Sequence, residues 1–246
     1  MTTRDATLAG PAPGAHERLG VWPFPPGPTA RIAYGAARVP TPGAALAHGP
    51  DLLVERGRIL RLNDEGFALP APSPGEPART AQERLADHLR RLSGGWNGQA
   101  ARFIEGYLAY LRAVVAANRP RIAERLRPLA GLFTPEDVLY SAPLPLPRAW
   151  LPLAEDGGAL PCPVDMLLWH GEAAQAVLFV PSALTPGAER RRRERLAAAG
   201  IGLYLFGAAE LARPSAFADL LGETGGGFWR DEPLPIAPGA PPLPAF

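Results

Sequence analysis

The sequence predicts an α/β fold in which helices flank a mixed β-sheet. In the middle of the chain, residues 78–118 repeat apolar side chains at helical spacing. Short apolar runs bounded by turn residues follow between residues 138 and 206, as expected for strands, with one Arg-rich helical segment among them. The chain has 246 residues, of which 47% are hydrophobic and 20% charged, so a sizeable buried core is possible.

Two smaller regions are predicted ahead of the main core. Residues 1–30 are a Pro/Gly-rich arm that favours extended structure, with Trp22 and Phe24 as candidate anchors on a neighbouring surface. A loose arm without an anchor is the alternative. Residues 31–77 are predicted to form a small β-rich unit followed by a linker, because short apolar alternations there are broken by turn residues.

Three helices are predicted next. The first covers residues 78–92, where Thr80 and Glu83 have the spacing of a capping box. The second covers residues 97–118, and a third begins at Pro120, since a first turn tolerates proline. The second helix is expected to be largely buried because its apolar residues recur on one face: Phe103, Ile104, Tyr107, Leu108, Leu111 and Val115.

These helices open a helical and α/β segment that spans residues 78–221. Residues 138–141 are predicted to start a strand, but alternating prolines up to residue 153 place this segment at a sheet edge or draped over the sheet. Further strands are predicted at 161–169, 174–181 and 201–206, and further helices at 188–199 and 213–221. Residues 222–246 are predicted to form a Gly/Pro-rich tail.

From the second predicted helix onward, the element order is helix, three strands, helix, strand. An acidic residue, Asp165, stands at the predicted head of the second of these strands. The segments concerned are Pro163-Val164-Asp165-Met166-Leu167-Leu168, Ala176-Val177-Leu178-Phe179-Val180, Glu189 through Leu196, and Gly200-Ile201-Gly202-Leu203-Tyr204-Leu205-Phe206. Over residues 97–211 this arrangement resembles the PD-(D/E)xK nuclease superfamily, which has a restriction-endonuclease-like αβββαβ core.

The resemblance implies a metal-dependent site. In that superfamily a carboxylate at the head of the second strand, and an acidic residue and a lysine two positions apart on the third, hold Mg²⁺ and stabilise charge on the phosphate. Many members add a glutamate from the first helix. Asp165 matches the first carboxylate and Glu105 matches the helix glutamate, so these two are the candidate catalytic and metal-binding residues.

The second half of the motif is missing from the chain. The third strand, within AAQAVLFVPS, has no acidic or basic residue, and the whole sequence contains no lysine. A hard cation needs about six oxygen ligands, so Asp165 and Glu105 alone make a poor metal site. We therefore expect no cofactor and no catalysis. A rearranged Mg²⁺-dependent endonuclease site that adds Glu172 or Asp156 is the alternative.

Structural interpretations of the same residues stand beside these. Asp165 is equally expected as a strand aspartate that caps a turn, and Glu105 as the ion-pair partner of Arg112 or Arg148. Cys162, the only cysteine, excludes an internal disulfide and is expected to be a buried thiol. The four histidines show no metal-ligand spacing.

One predicted helix carries a concentration of positive charge. Guanidinium groups bind phosphate oxygens in a bidentate way, so these arginines are candidates to contact nucleic acid or an acidic partner. They wrap more than a full helical turn and cannot all face one partner, and a solvated outer face is the alternative. The residues are Arg190, Arg191, Arg192, Arg193 and Arg195.

Together these features predict a catalytically inactive nuclease-fold protein that acts by binding. It is expected to bind nucleic acid, or to serve as an accessory protein subunit of a nucleic-acid-processing or defence complex. A purely structural or protein-binding subunit is the further alternative. Its Pro-rich termini would then dock on a partner protein through aromatic anchors: Trp22, Phe24, Phe228, Trp229 and Phe246.

Overall charge and hydropathy add two expectations. The net charge of +1 gives no global electrostatic attraction to nucleic acid, so local clusters must supply it. No apolar run has the length of a membrane-spanning helix, and the N-terminus lacks the apolar core of a signal peptide. The sequence therefore predicts a cytoplasmic protein without a membrane partner.

Overall fold

The computed structural model describes residues 24, 28–35, 50–64, 66, 67, 69, 80–94, 98–155, 158–182 and 184–225. Several residues singled out above lie outside these ranges: Trp22, Asp156, Phe228, Trp229 and Phe246.

The described residues form a mixed α/β structure in which helices flank one six-stranded sheet, which confirms the predicted fold class. The strands are β1 (Thr29–Ala33), β2 (Asp51–Glu55), β3 (Leu146–Glu155), β4 (Gly158–Trp169), β5 (Ala174–Phe179) and β6 (Gly202–Phe206). The α-helices are α1 (Ala81–Leu92), α2 (Gln99–Ala117), α3 (Arg119–Leu126), α4 (Pro186–Ala198), α5 (Ala208–Leu211) and α6 (Pro214–Gly225).

The sheet has the strand order β2-β1-β3-β4-β5-β6. Neighbouring strands are antiparallel except β5 and β6, which run parallel and are connected through α4. The N-terminal strands β1 and β2 belong to this same sheet, because Ala33 of β1 pairs with Trp150 of β3.

Strand register divides the sheet into two faces, since successive side chains point to opposite sides. Met166 pairs with Val177, and Phe179 with Phe206, so these residues share one face. Phe103 of α2 packs there, 5.9 Å from Phe179 and 5.2 Å from Phe206 between ring centroids. We call this the α2 face. Asp165, next to Met166, points to the opposite side, where α4 packs, which we call the α4 face.

An aromatic cluster holds α2 and α6 against the sheet. The ring of Phe217 from α6 lies 5.4 Å from both Phe103 and Phe206. The two helices approach closely at Gly106, where an added Cβ atom would lie 2.6 Å from the Phe217 ring. Edge-to-face and offset ring contacts of this kind contribute beyond the area they bury.

The predicted helices on this side are confirmed. The side chain of Thr80 accepts the Glu83 N–H, and the Glu83 carboxylate accepts the Thr80 N–H, so α1 begins with a capping box. In α2 the predicted apolar residues are all buried, and Tyr107 donates from its hydroxyl to the Pro143 carbonyl over 2.6 Å.

The predicted strand at residues 138–141 is wrong, because a 3-10 helix covers Pro135–Ser141. Pro135 occupies the first turn, where the lack of an N–H has no consequence. The Asp137 carboxylate accepts the N–H and the hydroxyl of Thr134, which closes the turn. This local helical start, spaced as in a capping box, outweighs the β-propensity of the apolar residues that follow.

The prediction that the Pro-rich segment after it lies at a sheet edge or is draped over the sheet is also wrong, since β3 is an inner strand between β1 and β4. Registered pairs with β4 run from Leu146 to Glu155. On the other side β1 contributes a single registered pair, so the missing proline N–H groups leave few hydrogen bonds unmade. The carbonyl of Pro147 points to that side and accepts the Gly35 N–H over 2.8 Å.

One further difference and one agreement concern the α4 face. Because β4 begins at Gly158, Asp165 lies inside the strand and not at its head as predicted. At one end of this face Phe24 is 7% exposed and its ring lies 6.0 Å from that of Trp169. The Phe24 N–H also donates to the Ala199 carbonyl over 3.1 Å, so the chain is anchored at this residue.

Candidate functional site

The carboxylate of Asp165 takes the place of a backbone acceptor between β4 and β5. The last registered pair of these strands is Met166 with Val177. One step further, the N–H of Phe179 donates to Oδ2 of Asp165 over 2.9 Å and not to a β4 carbonyl. The side chain thereby satisfies a half-buried backbone donor where the ladder opens.

Two residues of α4 complete the surroundings of Asp165. Arg192 is only 9% exposed, and its Nη1 lies 3.9 Å from Oδ2 of Asp165. Its Nη2 donates to Oε2 of Glu189 over 2.6 Å, while Nε of Arg193 donates to Oε1 of the same carboxylate over 2.9 Å. We call these four residues, Asp165, Glu189, Arg192 and Arg193, the Asp165 cluster.

The two carboxylates of this cluster respond differently to their environment. Burial raises the pKa of Asp165 above its usual value, although the Phe179 N–H and the Arg192 charge oppose this shift. Burial also works to raise the pKa of Glu189, but hydrogen bonds from Arg193, Ser182 and Arg192, with the Arg192 charge, outweigh it and lower that pKa. By distance, Glu189 at 2.6 Å is a closer partner of Arg192 than Asp165 at 3.9 Å.

This arrangement is poorly suited to a divalent cation. One oxygen of Asp165 already accepts a backbone N–H, and a guanidinium group supplies positive charge beside it. A hard cation requires about six oxygen ligands. Among the residues that the structure describes, no group of three or more acidic, His or Cys side chains could hold a metal ion.

Glu105 is not brought to Asp165. It lies on α2, which packs on the opposite side of the sheet from the Asp165 carboxylate. Its Oε1 is 3.1 Å from Nη2 of Arg90 on α1. Glu105 thus pairs with an arginine, as the structural interpretation expects, but with Arg90 and not with Arg112 or Arg148.

The other residues of the alternative metal site are also separate. Glu172 is exposed beside Gly57, and Asp156 lies outside the described residues. Arg148 has φ of 49°, and its guanidinium lies against Gly94 at the end of α1. Cys162 is fully buried, as predicted.

The arginines of α4 divide into an inner and an outer set. Arg192 is buried in the cluster, and the Arg193 side chain is 37% exposed. The side chain of Arg190 is 76% exposed with Nε 3.7 Å from Glu194, Arg191 is exposed, and Arg195 is half-buried. Arg190 and Arg191 are therefore the α4 arginines most open to a partner.

Glu189 is not among the site residues that the sequence predicts. Its spacing to Arg192 and Arg193, three and four residues along a helix, was the available signal, because such pairs meet on one helical face. Nothing local in the sequence marks the Phe179 N–H as the donor to Asp165, since that bond depends on the opening of two strands.

Comparisons with known proteins add no relative. No family model, no curated protein and no solved structure matches the chain. In the part of the chain that the structure describes, no helix combines the length and the apolar content that crossing a membrane requires.

Proposed function

We propose that the protein is a catalytically inactive, nuclease-like α/β protein that acts by binding nucleic acid, alone or within a nucleic-acid-handling complex. The observation that most directly supports the loss of catalysis is the engagement of Asp165 by the Phe179 N–H and the Arg192 guanidinium. The residue that matches a nuclease carboxylate is already bound inside the protein.

The order and direction of the elements support the nuclease-like part of the proposal. After α2 come α3 and two 3-10 helices, and the chain then runs through the antiparallel strands β3, β4 and β5, the helix α4, and the strand β6 parallel to β5. This is the order that motivates the comparison with a restriction-endonuclease-like αβββαβ core. The chain adds β1 and β2 beside that core.

The separation of the acidic residues supports the loss of catalysis. Metal-dependent phosphate hydrolysis needs carboxylates that converge on the same ion. Asp165 faces α4, while Glu105 pairs with Arg90 beyond the other face of the sheet. The strand β5 contributes AQAVLF, which contains no charged side chain.

The outer arginines of α4 support binding to nucleic acid. Arg190 and Arg191 are exposed on a helix that is held in place by the Asp165 cluster. Exposed guanidinium groups on a rigid element can contact phosphate oxygens without reading base sequence. The internal bonds of Glu189 thus fix the orientation of the helix, while Arg191 and Arg190, whose Nε lies 3.7 Å from exposed Glu194, remain accessible on its outer surface.

A cleavage assay tests the catalytic half of the proposal. Wild type and Asp165→Asn are incubated with plasmid and single-stranded DNA in Mg²⁺ and in Mn²⁺. Both proteins are expected to leave the DNA intact. Cleavage by wild type that Asp165→Asn abolishes would show a working site and overturn this half.

A salt-dependent binding assay tests the other half. The double variant Arg190→Gln/Arg191→Gln is titrated against a labelled DNA duplex beside Arg213→Gln, which removes an exposed arginine outside α4. Loss of two phosphate contacts should make the negative slope of log Kobs against log salt shallower by about 2, while Arg213→Gln leaves the slope unchanged. Absence of DNA binding by wild type would contradict the proposal.

A second candidate, an accessory role through protein binding, has one specific observation in its favour. On the α4 face the side chain of Leu53 is 50% exposed, and the register places half-buried Trp150 on the same face. An apolar anchor beside a tryptophan is typical of protein interfaces. Purified protein that fails to bind DNA, but whose binding to a copurified protein is weakened by Leu53→Glu, would favour this candidate.

A further inference from the structure

The positive charge of α3 is arranged differently from that of α4. In α4, Arg190, Arg192 and Arg193 each have a carboxylate of the same helix as a partner. The internal structure therefore accounts for much of the α4 charge. The segment that begins with α3 carries four arginines and one glutamate within residues 119–127: Arg119, Arg121, Glu124, Arg125 and Arg127. We call these four arginines the α3 surface.

The helix presents the α3 surface to solvent. Ile122 and Leu126 are its buried residues and attach it to the rest of the protein. All four arginines are exposed. Arg121 and Arg125 are four residues apart, so their side chains leave the helix on the same side.

Carboxylates neutralise only part of this surface. Arg119 forms an ion pair with Glu136, and Arg127 lies 3.2 Å from Glu124. The Arg127–Glu124 pair is weak, because its side chains are 76% and 66% exposed and solvent screens them. No carboxylate of the described residues forms an ion pair with Arg121.

These arginines also occupy positions where positive charge destabilises an α-helix. Cations are unfavourable in the first turn, where the helix dipole is positive, and α3 has Arg119 and Arg121 there with no acidic residue. Like charges four residues apart, as in Arg121 and Arg125, are unfavourable as well. Solvent and salt screen both effects only in part, and a bound polyanion would place negative charge directly against these arginines.

The chemistry of the surface fits phosphate groups better than an acidic protein. Protein interfaces are anchored by buried aromatic or aliphatic side chains. The two large apolar residues of α3, Ile122 and Leu126, are both turned inward, so the outer side offers charge without an anchor. Sequence-independent contact with nucleic acid depends on guanidinium–phosphate pairs of this kind.

The α3 surface also lies away from the α4 arginines. The helix α3 follows α2 and packs beside it and the 3-10 helix Pro135–Ser141, whereas α4 packs on the opposite face of the sheet. A straight duplex cannot touch both sides of a sheet that is covered by helices. If both surfaces bind, each holds a different segment of nucleic acid.

We propose that the α3 surface is a second nucleic-acid contact and that one molecule bridges two duplex segments, one on α4 and one on α3. This inference rests on the proposed function, because it assumes that the α4 arginines bind nucleic acid. It adds a second site, a sequence-independent mode of contact and a bridging activity.

A capture assay tests the bridge. A biotinylated DNA duplex on beads is mixed with a fluorescent duplex and with wild type, with Arg121→Gln/Arg125→Gln, or with the control Arg213→Gln. Wild type and control are expected to retain the fluorescent duplex, and the α3 variant to retain about tenfold less at physiological salt. An unchanged melting temperature of the α3 variant confirms that it is folded.

Anisotropy titrations with the fluorescent duplex alone separate the possible failures. The α3 variant should still bind one duplex, through α4. Undiminished bridging by the α3 variant would overturn the second site. Absence of any duplex binding by wild type would instead overturn the proposed function itself. Selective loss of binding to polyglutamate in the α3 variant, with DNA bridging intact, would assign the surface to an acidic protein.

Discussion

At the scale of the residue, Asp165 has a structural role that accounts for its position without catalysis. Its Oδ2 accepts the Phe179 N–H over 2.9 Å and faces the buried guanidinium of Arg192. An acidic residue inside an apolar strand is costly unless it is hydrogen-bonded and its charge is compensated. The hydrogen bond is present, and Arg192 compensates the charge in part, because burial still raises the pKa of Asp165.

Asp165→Ala should therefore destabilise the protein more than Asp165→Asn. Alanine leaves the Phe179 N–H without its acceptor, whereas asparagine can supply a carbonyl oxygen. Because the Asp165 side chain is 37% exposed, we expect the alanine variant to lose only about 1 kcal/mol, near the lower end for an unsatisfied donor. Urea unfolding at neutral pH measures the difference. Equal losses for the two variants would show that the hydrogen bond does not stabilise the fold.

The raised pKa of Asp165 predicts a pH effect with a definite sign. The folded state retains the proton above the usual value of 3.8, where the unfolded chain has lost it, so stability falls as pH rises through this window. The groups facing the carboxylate are the Phe179 N–H, Arg192, Glu189 and Arg148. Asp165→Asn cannot titrate, so its stability relative to wild type should increase as pH rises above 3.8. A constant difference between the two unfolding curves across this window would contradict the assignment.

At the scale of the element, buried charged residues hold α4 against the sheet together with its apolar contacts. Glu189 binds Arg192 and Arg193, and Arg192 is buried against β4 near Asp165. A buried guanidinium that loses its carboxylate partner has few other groups to bind.

Glu189→Gln should consequently destabilise the protein by about 2 kcal/mol, since it weakens charge-assisted hydrogen bonds to a buried arginine. Glu194→Gln is the matched control on the same helix. Its side chain is 64% exposed and 3.7 Å from Arg190, so we expect less than about 1 kcal/mol. Thermal and urea unfolding compare the two variants. Similar losses in both would mean that the cluster does not hold α4.

The packing of α2 on α6 gives a second prediction at this scale. Gly106→Ala would place a methyl group 2.6 Å from the Phe217 ring, so we expect a loss of about 1–3 kcal/mol despite the better helix propensity of alanine. Gly187→Ala in α4 is the control, because its Cβ would meet only the Arg191 side chain at 3.7 Å. A stabilised Gly106→Ala variant would show that the helices can separate at this point.

Local signals predicted some elements well and others poorly. The capping box of α1 and the apolar face of α2 depend on residues close in sequence, so the residue pattern predicts both correctly. The prolines of β3 favour an edge strand, and its inner position depends on one registered pair with β1, which is distant in sequence. Local residue patterns could therefore not predict it. For the site, sequence located Asp165 and the charge of α4, but the Phe179 and Arg192 contacts require the folded sheet.

At the scale of the whole molecule, one sheet separates two basic surfaces. The exposed arginines of α4 lie on one side, and those of α3 lie with α2 on the other. Because the net charge is only +1, local clusters and not a global field must attract a polyanion. The proposed contacts with nucleic acid are accordingly distributed over two faces of the molecule.

We propose above that the protein binds nucleic acid without a metal ion and does not cut it. The most direct measurement is an anisotropy titration of a labelled DNA duplex with wild type in EDTA, from about 50 to 200 mM salt. We expect binding in EDTA, an intact duplex, and an affinity whose logarithm falls linearly with the logarithm of the salt concentration. Binding that appears only when Mg²⁺ is added, with cleavage that Asp165→Asn abolishes, would contradict it.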